Sequence, residues 1–316
     1  MKNKELFVSI VVPTKDRPDY LHRAIKSILN QTYKNWECIV IDDNSKIPAT
    51  KSIGDLINND KRFTLIRNKK SEFASKSRNI GIHKSKGELI AFLDDDDYWD
   101  KNKLSEQLEF MIKNNFEVTY CWTNLIDSDN NLKIREPNIS GNIFDLMLDG
   151  QPLCNCSTFI VSKEALMKVG YFNTLLKRGN DGDLIRKLSA KYQIGLLKKR
   201  LVFYQINSRG TNISTNNKIG IKRSLKSYKY RLYFFKKDLI NRPLKYANIN
   251  LEIARCYAKL NMLKMSLKYF LKALKVFTIY FNKTFYKIIR VFILIIFIIF
   301  RKSKNNLKLI FNSSNK

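Results

Sequence analysis

The first apolar run, Phe7–Val12 (FVSIVV), is short, β-branched and almost free of polar residues, as a strand covered on both faces requires. Pro13-Thr14-Lys15 closes it, Asp16 is placed to cap a following helix, and Pro18 suits that helix's first turn. Leu21, Ala24, Ile25, Ile28 and Leu29 then recur at helical spacing and predict one buried face. A second strand over Trp36–Ile41 runs into Asp42-Asp43-Asn44-Ser45. Ile53, Leu56 and Ile57 predict another helix, Phe63–Ile66 a third strand, and Ala74–His83 a third helix. The next strand, Glu88–Leu93, drives straight into four consecutive carboxylates, Asp94–Asp97. Leu104, Leu108, Met111 and Ile112 then mark an amphipathic helix, and Glu117–Trp122 another strand. Residues 127–151 have little periodicity and many turn formers, and read as a variable surface connection.

Alternation of strands and helices at this pace predicts an α/β fold, Rossmann-like, with a mostly parallel sheet and helices on both faces. Ligands of such sheets sit outside the carboxyl ends of the strands. Three polar clusters fall at those ends, Pro13–Asp16, Asp42-Asp43 and Asp94–Asp97, and would converge on one crevice. Four adjacent carboxylates repel one another, and a hard divalent ion with oxygen ligands relieves that repulsion. A solvated acidic turn explains an isolated acidic run as well; the flanking sequence decides against it.

The segments VSIVVPTKDRPDYLHRAIKSILNQTYKNWECIVIDDNS and SKSRNIGIHKSKGELIAFLDDDDYW resemble the family 2 glycosyltransferases of the GT-A fold, over roughly residues 6–210. The resemblance implies a nucleotide pocket holding Pro13 and Asp16, with Asp43 accepting a hydrogen bond from the donor base and Lys76 and Arg78 near the diphosphate. It implies that Asp94 approaches the ribose or sugar and that Asp96 binds Mn²⁺ or Mg²⁺, with Asp95 the alternative in a register ambiguous by one. Cys156–Ser162 resembles the strand opening the acceptor half. In EALMKVGYFNTLLKRGNDGDLIRKL, Asp181 matches the general base and Asp183 is the fallback; Asn180 stands where the family has Glu. Leu201–Ser214 resembles a closing segment in which many members place a metal-binding His; Asn207 holds that position here, so metal affinity or choice departs from the pattern. The processive members' Gln-x-x-Arg-Trp signature is missing, which favours transfer of one residue per encounter.

The implied activity is inverting, metal-dependent transfer of a sugar from a nucleotide donor, expected to be UDP-linked, to a glycan or lipid-linked acceptor in surface polysaccharide assembly. A nucleotidyltransferase would want a Gly-rich phosphate loop after the first strand, and PTKDRPD is not one. A degenerate catalytic domain carrying a basic binding tail is the non-enzymatic rival; intact Asp43, Asp96 and Asp181 argue against it.

Charge separates the chain into two parts, 1–215 and 216–316. Of the net +30, residues 210–316 supply 24 Lys and Arg against 2 acids. Ala254, Tyr257, Ala258, Leu260, Leu267 and Ala273 predict a helical hairpin there. Val291–Phe300 is ten unbroken apolar residues, about 15 Å as a helix and too short for a ~30 Å hydrocarbon core. With basic clusters around it, segment 276–304 predicts a helix lying in an anionic membrane interface, and nucleic acid is not expected as a partner. Five scattered cysteines and a charged start, Met1–Glu5, predict a reduced, cytoplasmic location at the inner face of the membrane. Cys154-x-Cys156 lacks a second pair and reads as packing rather than a metal site.

Overall fold

The structure is a computed structural model; it describes residues 6–127, 131–150, 153, 155–206 and 217–277. The chain divides into two compact units, residues 1–212 and 213–316.

The first unit is built on a mixed nine-stranded sheet. Strand β1 (Val8–Thr14) lies between β2 (Trp36–Asp42) and β4 (Leu89–Phe92), with β3 (Phe63–Arg67) beyond β2, all parallel. All seven residues of β1 and of β2 are buried, as their unbroken apolar runs require. Strand β1 continues through Pro13, which stands opposite Ile41 near the strand's end. The expected parallel order gives way beyond β4: β8 (Ile160–Ser162) is antiparallel to both β4 and β6 (Val118–Ile126). Strand β9 (Ile194–Gln205) then runs parallel to β6, and β5 (Tyr98–Trp99) closes the edge against β9.

Alternate strand residues feed two cores, the period-2 logic of a sheet covered on both sides. Val8, Ile10, Val12, Leu89, Ala91 and Leu93 join the core formed with α1 (Pro18–Leu29), α2 (Ala49–Ile57) and α4 (Lys103–Lys113). Val11, Ile90 and Phe92 join the other, with α3 (Phe73–Lys84), α5 (Phe144–Asp149), α6 (Lys163–Val169) and α7 (Asn180–Ser189). Helix α3 approaches β1 closely at Gly81, where a Cβ would stand 2.4 Å from Val11 Cγ1.

Several local expectations are corrected. Asp16 does not cap α1: Arg17 holds the N-cap position, and Asp16 adopts φ 54° to turn the chain instead. The connection after β6 holds β7 (Leu132–Arg135), paired with β6, and α5. Cys156–Thr158 forms a 3-10 turn, so the strand expected from Cys156 begins only at Ile160.

The second unit is helical: α8 (Lys218–Phe234), α9 (Lys236–Ile240), α10 (Pro243–Lys259) and α11 (Leu263–Phe277). The expected hairpin is α10 against α11, closed by Ala247, Leu251, Ala254, Phe270, Ala273 and Phe277. Leu267 is not in that core; it is 48% exposed on the outer face of α11 with Leu271. Among the described residues no helix is long and apolar enough to cross a membrane. The apolar run 291–300 lies outside them, as do Cys154 and Asn207.

Candidate active site

Strands β2, β1 and β4 are adjacent and parallel, so their carboxyl ends deliver Asp42-Asp43, Thr14–Arg17 and Asp94–Asp97 to one edge. Burial then separates four carboxylates that look alike in sequence. Asp97 is fully buried: it accepts from Ser157 Oγ at 2.5 Å, Asn155 Nδ2 at 2.6 Å and Gln205 N at 3.3 Å. Burial, then the charges of Asp96 and Asp94, push its carboxyl well above the usual range, so it anchors the run from inside. Asp95 accepts from Thr14 Oγ1 at 2.8 Å, Lys15 N at 3.3 Å and Arg17 Nη1 at 3.1 Å. Desolvation raises Asp95 to about 7, against the pull of Arg17. Asp94 and Asp96 are more accessible, and Asp96 Oδ2 sits 2.5 Å from Arg17 Nη1. Arg23 adds a bond to the Asp96 carbonyl at 2.6 Å. Sequence reading missed both arginines; Arg17 sits in the matched PTKDRPD segment, and that position was the available signal.

The two carboxylates at the end of β2 hold the loops beside this edge. Asp42 accepts from Ser45 N at 2.8 Å and Ala49 N at 3.0 Å, fixing the start of α2. Asp43 accepts from Glu72 N at 2.7 Å, Ser71 Oγ at 2.7 Å, Asn68 Nδ2 at 2.8 Å and Phe73 N at 3.0 Å, at the start of α3. Desolvation opposes ionisation of Asp43, but these donors outweigh it and hold the pKa below the ordinary value. A carboxylate offers about four acceptor sites, and these donors fill them, so a nucleobase reaching Asp43 would have to displace one. Asp16 accepts from Lys46 N at 2.6 Å and its own N–H donates to Ser45 Oγ at 3.0 Å, locking the first loop to the second.

Helix α3 carries Arg78 into the interior, 4% exposed. Its guanidinium hydrogen-bonds Asp94 and lies 3.6 Å from Asp181 Oδ1, so one buried cation joins the acidic run to the first turn of α7. Lys76 does not join them: it pairs with Glu72 at 2.9 Å on the helix surface. Asp181 also accepts from Cys156 Sγ at 3.2 Å. Desolvation raises its pKa above the ordinary carboxylate value, Arg78 opposes the rise and Asp94 adds to it. Asn180 N-terminal to it donates to Ser75 Oγ at 2.5 Å, tying α7 to α3. The fallback base, Asp183, lies deeper: it is fully buried, with Lys187 Nζ at 3.8 Å.

Among the described residues no group of three or more His, Cys, Asp or Glu side chains is arranged to hold a metal ion. The chemistry still fits a hard divalent cation: the donors are oxygens only, and Asp96 is partly accessible. Such a site takes one or two protein carboxylates and leaves its remaining positions to water and phosphate.

The sequence profile described as "Glycosyl transferase family 2" matches residues 9–175. An uncharacterized glycosyltransferase of Rickettsia bellii is 34% identical over 67% of this chain and 30% of its own length. The UDP-Glc:alpha-D-GlcNAc-diphosphoundecaprenol beta-1,3-glucosyltransferase WfgD of Escherichia coli is 36% identical over 37% of this chain and 45% of its own. These alignments therefore span less than half of either relative. Among solved structures, the mannosyltransferase PcManGT from Pyrobaculum calidifontis, in complex with GDP-Man and Mn²⁺, superposes with a TM-score of 0.59. It covers 93% of this chain and 86% of its own at 13% identity, which establishes a shared GT-A fold.

Proposed function

The chain belongs to glycosyltransferase family 2, and from that premise we propose an inverting, metal-dependent, non-processive enzyme. It moves one sugar from a nucleotide donor, UDP-linked, to a lipid-linked glycan of a surface polysaccharide. The observation that carries this reading is the Asp94–Arg78–Asp181 chain, which holds a carboxylate for the acceptor beside the acids for the donor.

Asp181 takes the proton of an acceptor hydroxyl as that oxygen attacks the anomeric carbon, and the bond from that carbon to the diphosphate oxygen breaks on the opposite face. One carboxylate suffices for such a displacement, and inversion follows from the single step. The raised pKa of Asp181 makes it a stronger base while Arg78 keeps it ionised. Asp96, with Asp95 the alternative, would hold Mn²⁺ or Mg²⁺, which would supply Lewis-acid stabilisation of the departing nucleoside diphosphate, while Asp94 would approach the ribose or sugar. Arg17 faces the same place and adds charge neutralisation. The loops fixed by Asp16 and Asp43 would form the base and ribose side, beside Pro13. The UDP preference draws on WfgD, named for UDP-Glc, as does the lipid-linked acceptor; PcManGT, solved with GDP-Man, makes a guanine nucleotide the competing donor. Such an acceptor would place the enzyme at the cytoplasmic face of the cell membrane, with the basic second unit toward anionic lipid.

A panel of nucleotide sugars with Mn²⁺, read as released nucleoside diphosphate, is expected to select a UDP-sugar. Asp96→Ala is expected to abolish both turnover and calorimetric Mn²⁺ binding, with Asp95→Ala less affected. Unchanged metal affinity in Asp96→Ala would overturn the metal assignment, and selection of a GDP-sugar would overturn the donor.

A further inference from the structure

The turn between the acidic run and the base touches both. Asn155 and Ser157 donate to the buried Asp97 carboxylate at 2.6 and 2.5 Å, and Ser157 Oγ also accepts from Asp94 N at 3.1 Å. The Ser157 carbonyl receives the Trp99 indole N–H at 2.9 Å. Asn155 and the turn after it are therefore clipped at four points to the segment 94–99 that carries the donor acids. Between Asn155 and Ser157 lies Cys156, 2% exposed, whose thiol points at Asp181 Oδ1 from 3.2 Å. Arg78 Nη1 approaches the same oxygen at 3.6 Å. Among the described residues both contacts of this carboxylate fall on Oδ1, and Oδ2 makes none.

We propose that Cys156 is a positioning residue: its S–H donates to Asp181 Oδ1, holds the carboxylate in one orientation, and leaves Oδ2 as the atom that receives the acceptor's proton. The inference rests on Asp181 being the base. A carboxylate hinged only at its own side-chain torsions would sample several orientations, and rotating it would exchange Oδ1 with Oδ2. Two donors on one oxygen remove that freedom and leave the other oxygen open to the acceptor hydroxyl. Because the turn carrying Cys156 is also bound to Asp97 and Asp94, the separation between donor acids and base is set by one short piece of backbone. Positioning of this kind shows in kcat rather than in donor binding.

The groups facing Asp181 are Arg78 on α3, Asp94 on the acidic run and Cys156 on the turn, with Asn180 the neighbour on its own helix. Of these, Cys156 is the one whose hydrogen bond can be removed without changing a formal charge. Its loss leaves Asp181 with less stabilisation of the charged form, so the acid limb of the rate profile moves to higher pH.

The test uses the full chain, with the nucleotide sugar chosen by the panel above and water as the acceptor. Cys156→Ala is expected to lower kcat about 3- to 10-fold, to leave the KM for the donor within about 2-fold, and to shift the acid limb upward. Cys156→Ser retains an O–H donor at the same place and is expected to recover most of kcat and the original limb. Thermal unfolding of each variant reports whether the fold is kept, and Cys156→Ser carries the test if Cys156→Ala does not fold. Asp181→Asn is measured alongside. Near-wild-type turnover in Asp181→Asn would overturn the base itself. An inactive Asp181→Asn together with an unchanged limb and kcat in Cys156→Ala, or a Cys156→Ser as impaired as the alanine variant, would overturn the positioning role alone.

Discussion

Lys103 is fully buried at the first position of α4, with its ammonium 4.0 Å from the centre of the Trp99 ring and, among the described residues, no hydrogen-bond acceptor on Nζ. A cation at a helix N-terminus also opposes the helix dipole. Burial pushes its pKa down to about 7, only partly countered by Cys121. The sign is definite. The unfolded chain binds this proton up to about pH 10.4, the folded chain only to about 7, so stability rises with pH across that window. Lys103→Met, which keeps the apolar stem, is expected to be more stable than the natural chain at pH 7 by on the order of 3 kcal/mol. The difference should shrink as pH rises toward 9.5, measured by denaturant unfolding at both values; a constant difference would mean that the lysine does not titrate there. Such residues mark the limit of sequence reading at this scale. Lys103 looks like any solvated lysine, and Asp94–Asp97 look like four equivalent acids, because neither burial nor a partner more than 50 residues away is written in local pattern. Asp97, whose partners Asn155, Ser157 and Gln205 come from two later elements, was legible only as one of four.

At the scale of elements, the parts with a strong apolar pattern were legible and those without one were not. Helices α1 and α4 and strands β1, β2 and β4 follow from their apolar spacing, and the convergence of three strand ends follows from their being parallel. Strand β5 has two residues, and β7, as short as β4, is mostly exposed and lacks β4's unbroken apolar run. Yet β5 matters: pairing Tyr98 with Phe203 and Trp99 with Val202, it pins the chain just after Asp97 to β9. The α3–β1 contact offers a test of how closely an element must sit for the site to assemble. Gly81 meets Val11 with no room for a side chain, and Arg78 stands one helical turn before it on the same helix. Gly81→Ala gains helix propensity of about 1 kcal/mol, but forcing the helix off the sheet costs about 1–3 kcal/mol, so a net loss of stability is expected. In the Gly81→Ala, Val11→Ala double variant, room is restored, and a favourable coupling of at least about 0.5 kcal/mol is expected in a double-mutant cycle. Additive effects would mean that the helix shifts freely and that the close approach does not hold Arg78 in place.

The whole chain joins a sheet-based unit of nearly ordinary charge to a helical unit with a large basic excess, and no element of the catalytic chemistry asks for that excess. On α11, Lys264, Lys268, Lys272 and Lys275 surround Leu267 and Leu271, about half exposed, and the helix has no acidic residue. Basic groups bordering apolar ones suit a leaflet with anionic headgroups over hydrocarbon, each cation near that surface contributing about 1 kcal/mol. The apolar run Val291–Phe300, flanked by Arg290, Arg301 and Lys302, repeats the combination more strongly in sequence. The full chain is therefore expected to sediment with vesicles containing anionic lipid, and a chain shortened after Phe277 is expected to remain in solution while still hydrolysing its donor, since the proposed base and donor acids all precede residue 210. Salt should weaken binding without abolishing it, because charge is screened over about 10 Å at 0.1 M and apolar burial is not. Sedimentation of the shortened chain would move the anchor to α11, where replacing Leu267 and Leu271 by Ser should then release it. Loss of soluble expression on shortening would instead mean that the apolar run folds against protein, and a full chain that ignores anionic vesicles would leave the lysines as charge without a membrane role.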